Sequence, residues 1–120
     1  METTKIDDNI RILQYQSSGK DITVIEISGE LDMRQSYKCQ NLLARLIETM
    51  TEDEELYLDL RKVVYMSSTG VGALSTALVY ANKKHVAVYL SELHPKVRAI
   101  FDLLGLSSWF VEKNPDVPEF

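Results

Sequence analysis

The spacing of apolar positions changes several times along this chain, and each change marks a structural element. Ile10 to Tyr15 and Ile22 to Ser28 are two runs rich in β-branched residues, separated by the turn-forming cluster Ser17-Ser18-Gly19-Lys20-Asp21. This arrangement predicts a β-hairpin, with Gly29 closing its second strand. Cys39, Leu42, Leu43, Leu46, Ile47 and Met50 then recur at helical spacing and predict an amphipathic helix. Leu56, Leu58 and Leu60 alternate with Tyr57 and Asp59, and the run continues through Val63 to Met66 as a buried strand that feeds Ser67-Ser68-Thr69-Gly70. Val71, Leu74, Ala77, Leu78 and Ala81 share one face of a second helix, which ends near Lys83 and Lys84, where cations suit the negative end of the dipole. Val86, Val88 and Leu90 alternate as another strand. Pro95 opens a third helix, striped by Val97, Ile100, Phe101 and Leu104 and stopped by Gly105. Trp109, Phe110 and Val111 are expected to form a last short strand, followed by a loose tail carrying Pro115 and Pro118.

Strands that alternate with helices require parallel pairing, whereas the opening hairpin is antiparallel. The fold class is therefore α/β: a single domain built on a mixed, mostly parallel central sheet of about five strands, with helices packed on it. The expected boundaries are an N-terminal extension over 1–9, the domain over 10–111 and a C-terminal tail over 112–120.

Composition narrows the function. The chain has 120 residues, 45% hydrophobic and 26% charged, which suits one compact domain. Its 18 acidic and 13 basic residues give a net charge of −5, so the overall field offers no attraction to nucleic acid or anionic lipid, and a protein partner is favoured. No apolar run is long enough to span a bilayer, and Met1 to Asp8 is polar and acidic, unlike a signal peptide. A cytoplasmic protein that is not inserted in a membrane is expected. Cys39 stands alone and reads as helix packing, and the acidic run Glu52 to Glu55 reads as a solvated loop.

Ser67-Ser68-Thr69-Gly70-Val71-Gly72 sets three hydroxyls and two glycines at a strand-to-helix junction. One reading is capping, with a serine oxygen accepting from a free N–H of the helix. The other is phosphorylation of a hydroxyl, since the positive end of the helix dipole stabilises an added dianion. The nucleotide P-loop and the dinucleotide glycine pattern are both absent, which leaves nucleotide binding as a minor alternative. His85 and His94 lack metal-ligand spacing and read as surface or capping residues. Ser68, His94 and Asp32 could be grouped as a hydrolytic triad, but there is no Gly-x-Ser-x-Gly elbow, and no enzyme is expected.

Three segments carry a family resemblance. Gly29-Glu30-Leu31-Asp32, the stretch from Leu58-Asp59-Leu60-Arg61-Lys62-Val63 to Met66-Ser67-Ser68-Thr69-Gly70-Val71-Gly72-Ala73-Leu74, and Val97 through Leu106 resemble the STAS domain of bacterial anti-sigma factor antagonists. The resemblance runs from about Ile10 to Val111. It implies a STAS fold and a role in signal transduction and transcription regulation by partner switching. The unmodified protein would bind an anti-sigma factor serine kinase and release a sigma factor. Phosphorylation would break that complex, and a PP2C-type phosphatase would reset it. Ser68 stands at the phosphorylated position and Thr69 is the second choice, while Ser67 stands where Asp is usual. Asp32, Ser67, Ser68, Thr69, Gly70 and Val71 would form the partner-binding face. The kinase would supply ATP and its metal, so no cofactor is expected in this chain, and a monomer is expected when it is free. The alternative function within the family is a constitutive STAS subunit of a lipid-transport ATPase or a stress-sensing scaffold.

Overall fold

A computed structural model of the protein describes residues 1–118. Its elements are β1 (Glu2–Lys5), β2 (Ile10–Ser17), β3 (Lys20–Leu31), α1 (Met33–Glu48), β4 (Glu54–Met66), α2 (Ser68–Lys84), β5 (Ala87–Leu93) and α3 (Pro95–Leu103), followed by a short 3-10 turn at Ser107–Trp109. The five strands form one sheet in chain order. β1, β2 and β3 pair antiparallel, and β3, β4 and β5 pair parallel, with α1 and α2 as the crossovers.

The β2–β3 hairpin closes at Ser17↔Lys20 through Ser18 (φ 52°) and Gly19 (φ 79°). Two successive left-handed residues make the turn whose twist matches paired strands. All three helices contribute to one core on one face of the sheet: Cys39, Leu43 and Ile47 from α1, Val71, Leu74 and Ala77 from α2, and Val97 and Phe101 from α3. Opposite them are Ile10, Ile12, Ile25, Ile27, Leu56, Leu58, Leu60 and Leu90. A second, smaller cluster of Ile22, Val24 and Tyr57 lies apart from this core, in the alternate side-chain positions of the same strands. Burial pushes the Cys39 thiol up to about 12, with the Asp7 charge adding to the effect, so this cysteine is a packing residue with little thiolate.

Several local expectations change. The sheet is mixed and five-stranded, but its four pairings divide evenly between parallel and antiparallel, because β1 adds a second antiparallel pairing that the exposed, polar residues Glu2–Lys5 gave no sign of. β3 runs past Gly29 to Leu31. Gly29 takes a positive φ (84°) between two register shifts, and a Cβ there would stand 2.9 Å from Asn9 Nδ2. The segment 109–111 is no strand. The chain leaves α3 through Gly105 (φ 69°), makes the 3-10 turn, packs Phe110 at a tilt against Phe101 with ring centres 4.9 Å apart, and pairs its backbone with β5 at the isolated Leu90↔Glu112 bridge. The acidic run is loop only in part, since Glu54 and Glu55 begin β4 and Glu55 is buried. Residues 113–118 are tied down, with Tyr15 Oη donating to the Asp116 carbonyl and Ser17 Oγ to the Val117 carbonyl. Residues 119 and 120 of the expected tail lie outside the described residues.

The turn between β1 and β2 is held by Asp7. Its Oδ1 accepts from the N–H groups of Asn9 and Ile10, and its Oδ2 pairs with Lys38 of α1 at 2.5 Å. Chiefly the Lys38 hydrogen bond, with help from those two N–H groups, lowers the Asp7 pKa. A lowered folded-state pKa adds stability above the unfolded value of about 3.9 and loses it as pH falls through the lower folded value. Asp7→Asn is expected to cost roughly 0.5–1 kcal/mol near neutrality and nothing at a pH below both values, as followed by urea unfolding across an acid titration.

Candidate functional site at the paired helix N-termini

β3 and β4 end side by side at Leu31↔Met66, and each feeds a helix after one residue. The N-termini of α1 and α2 therefore open at the same end of the sheet. Asp32 caps α1, its Oδ1 accepting from Gln35 N–H at 3.0 Å. Ser67 caps α2, its Oγ accepting from Gly70 N–H at 3.1 Å. The Ser67 hydroxyl also donates to the Leu31 carbonyl at 2.9 Å, and its backbone N–H reaches the same oxygen at 3.0 Å. An aspartate here would cap α2 but has no proton to give the Leu31 carbonyl when ionised. Serine at this position therefore both caps the helix and ties the two strand ends together.

Gly70 completes the closure. A Cβ on it would meet Met66 Cγ at 2.8 Å, the Leu31 carbonyl at 3.0 Å and Ser36 Oγ at 3.1 Å. Only glycine lets the first turn of α2 approach the start of α1 this closely. Gly72, by contrast, is exposed and has nothing within 4 Å of its Cβ position.

The six residues expected at the site are brought together, with different accessibility. Ser68 is exposed at the first position of α2, and its side chain makes no hydrogen bond among the described residues. Ser67 and Thr69 are half-buried, Asp32 is exposed, and Gly70 and Val71 are buried. The hydroxyl of Ser67 is committed at both ends, whereas that of Ser68 faces solvent at the positive end of a helix. His94 caps α3, its Nδ1 accepting from Lys96 N–H at 3.1 Å, and His85 ends α2 in a left-handed conformation. Among the described residues no cluster of three His, Cys, Asp or Glu is placed to hold a metal, and no helix is long and apolar enough to cross a membrane.

Four exposed apolar side chains surround this end of the sheet and were not singled out from the sequence. Met33 and Tyr37 sit at i and i+4 on α1, and Val64 and Tyr65 lie near the end of β4, where Tyr65 pairs with Glu30. Their signal was present as apolar residues off the buried stripe of α1 and, in β4, as the two apolar residues between the buried Val63 and Met66. It could not be separated from ordinary scatter of surface hydrophobics without the tertiary arrangement.

A model of the STAS domain family matches residues 7–119. The chain belongs to the STAS domain family. Its STAS domain is 27% identical over 82 residues to an anti-sigma-B factor antagonist of Staphylococcus aureus, covering 68% of this chain and 74% of that protein. It is 27% identical over 86 residues to the protein of the same name from Staphylococcus epidermidis. The STAS fold is shared with the unphosphorylated anti-sigma factor antagonist SpoIIAA at a TM-score of 0.66 and 19% identity, covering 86% and 88% of the two chains. It is also shared with the phosphorylated form of SpoIIAA from Bacillus at a TM-score of 0.63 and 18% identity, covering 86% and 91%. An anti-sigma factor antagonist from Mycobacterium paratuberculosis has a TM-score of 0.67 and 21% identity, with 95% and 92% covered.

The two glycines and two serines of this STAS loop are expected to separate by mutation. Ser67→Ala should cost about 1–2 kcal/mol through the lost cap and strand tie, and Gly70→Ala about 1–3 kcal/mol through overpacking. Gly72→Ala should raise stability by roughly 0.5–1 kcal/mol, and Ser68→Ala should stay within about 0.5 kcal/mol of the parent. Thermal and urea unfolding of the four variants checks the order.

Proposed function

We propose that this STAS protein is an anti-sigma factor antagonist that works by partner switching, with Ser68 as its phosphorylation site. The observation that carries this reading is the contrast between neighbouring hydroxyls. Ser67 is consumed by capping and by the Leu31 carbonyl, Thr69 is half-buried, and Ser68 is exposed with a free hydroxyl at the start of α2. A kinase needs an accessible hydroxyl, and the helix dipole stabilises the dianion once formed. The relatives named as anti-sigma-B factor antagonists, and a fold shared with both phosphorylated and unphosphorylated SpoIIAA, support the same reading.

The unmodified protein binds an anti-sigma factor serine kinase and so releases a sigma factor. The docking face centres on Ser68, with Asp32 and Thr69 beside it and Met33 and Tyr65 as apolar contacts. Ser67, Gly70 and Val71 shape this face from below through capping and packing. A phosphate on Ser68 adds a charge of about −1.5 to −2 and a bulky oxyanion at its centre, close to the Asp32 carboxylate. Binding is then opposed by desolvation, steric clash and like-charge repulsion, without any change of fold. A PP2C-type phosphatase restores the binding form.

The test is calorimetric binding of wild type, Ser68→Ala, Ser68→Asp and Thr69→Ala to an anti-sigma factor serine kinase from the same organism. Wild type, Ser68→Ala and Thr69→Ala are expected to bind alike. Ser68→Asp should weaken binding at least about a hundredfold, roughly 2.7 kcal/mol. Equal binding by all four would discard the switch at Ser68 in favour of a constitutive STAS subunit, and selective loss in Thr69→Ala would move the site one residue on.

A further inference from the structure

The helix-free face of the sheet is divided into two halves of opposite character. Cross-strand pairing places Leu13, Val24, Tyr57 and Tyr89 in one row and Tyr15, Ile22 and Glu55 in the next. On the Ser67 side of these rows the same face carries the ion pairs Arg11–Glu26 and Asp59–Arg61, which satisfy one another. The apolar half has no helix over it, yet Tyr57 is 0%, Ile22 1% and Val24 6% exposed.

Residues 113–118 cross this half of the face. Lys113 N–H bonds the Leu90 carbonyl at the outer edge of β5, and four residues later the Val117 carbonyl accepts from Ser17 on β2. Strands lie about 4.8 Å apart, so the crossing from beyond β5 to β2 is roughly 15–20 Å. Four extended residues reach only about 14 Å, and the donating hydroxyls of Tyr15 and Ser17 supply the rest. The segment is therefore taut and must pass directly over β4 and β3. Pro115 and Pro118 are half-buried and bring no N–H that would need a partner there. Lys113 latches the segment, its Nζ standing 3.5 Å from the buried Glu55 carboxylate and 4.9 Å from the centre of the Tyr89 ring. Glu55 also accepts from Tyr57 Oη at 3.1 Å and faces Lys20 at 3.7 Å.

We propose that residues 113–118 form an intramolecular cap over a self-association surface, and that its release lets two copies of this chain pack sheet against sheet through Ile22, Val24, Tyr57 and Tyr89. Charge complementarity favours a second copy as the occupant. Glu55 lies within the strip and the half-exposed Lys20 pairs with it at the rim, so without Lys113 the strip carries one charge of each sign and is complementary to a copy of itself. Aligned packing of two such faces is an established way to bury half of a sheet. The surface lies at the opposite end of the strands from Ser68, with the nine residue steps from Tyr57 to Met66 spanning about 30 Å, so this surface is independent of the phosphorylation reading.

The deciding measurement is sedimentation velocity over a concentration series for the full chain and for a chain ending at Glu112. The full chain is expected to stay monomeric. The shortened chain should double in mass as concentration rises and return to monomer when a peptide of residues 113–120 is added. A shortened chain that folds cooperatively and remains a monomer throughout overturns the proposal. If shortening prevents folding, the full-length double variant Lys113→Ala/Tyr15→Phe decides: concentration-dependent doubling supports the cap, and a persistent monomer overturns it.

Discussion

The carbonyl oxygen of Leu31 is where the candidate site is held together. It takes the backbone N–H and the hydroxyl of Ser67, and the buried Ser36 hydroxyl of α1 approaches it at 3.4 Å. One acceptor at the end of β3 thus gathers the end of β4 and the first turns of α1 and α2. The arrangement depends on Gly70, because any side chain there would enter the same space. Two helix N-termini converge as a result, and their unpaired N–H groups give this end of the molecule its preference for negative charge. Ser68 is exposed because Ser67 is not: with the neighbouring hydroxyl turned inward to close the junction, the next residue along the helix turns outward.

Parallel strands impose this geometry. Each crossover returns over the sheet and leaves the C-terminal ends of β3, β4 and β5 at one end, where α1, α2 and α3 begin. Loops there carry the accessible chemistry, while the rigid sheet below fixes their spacing. The opposite end of the sheet is governed by the antiparallel hairpin and by the returning tail. The two ends therefore present different surfaces: small hydroxyl residues at one, and an apolar strip under residues 113–118 at the other.

A mixed sheet with helices on one face leaves the other face to be covered by something else. In this chain the answer is graded across the strands. Self-satisfying ion pairs cover the half nearer Ser67, and the polar-tethered tail covers the half nearer the hairpin turn. The buried carboxylate of Glu55 lies within the tail-covered half, where Tyr57, Lys20 and Lys113 from three different segments satisfy it. Burial and that carboxylate together push the Tyr57 hydroxyl up to about 12, so it stays a hydrogen-bond donor throughout the neutral range.

Local sequence by itself determined the elements whose signal repeats within a few residues. The Ser17 to Asp21 cluster specified the hairpin, the helical spacing of Cys39, Leu43 and Ile47 specified the buried face of α1, and Pro95 and Gly105 bracketed α3. The segment from Met66 to Leu74 marked the strand-to-helix junction before any contact was known. Tertiary structure alone decided what depends on partners distant in the chain. Glu2–Lys5 become a strand because β2 offers a free edge, and 109–111 fail to become one because the backbone pairs with β5 through an isolated bridge at Leu90↔Glu112. Glu55 is buried because residues 113–118 fold back over it. Ser67, Ser68 and Thr69 are equivalent hydroxyls in the sequence. The family resemblance ranks them, but their physical difference arises from the fold, where a carbonyl 36 residues upstream of Ser67 takes the proton of one of them and leaves its neighbour free.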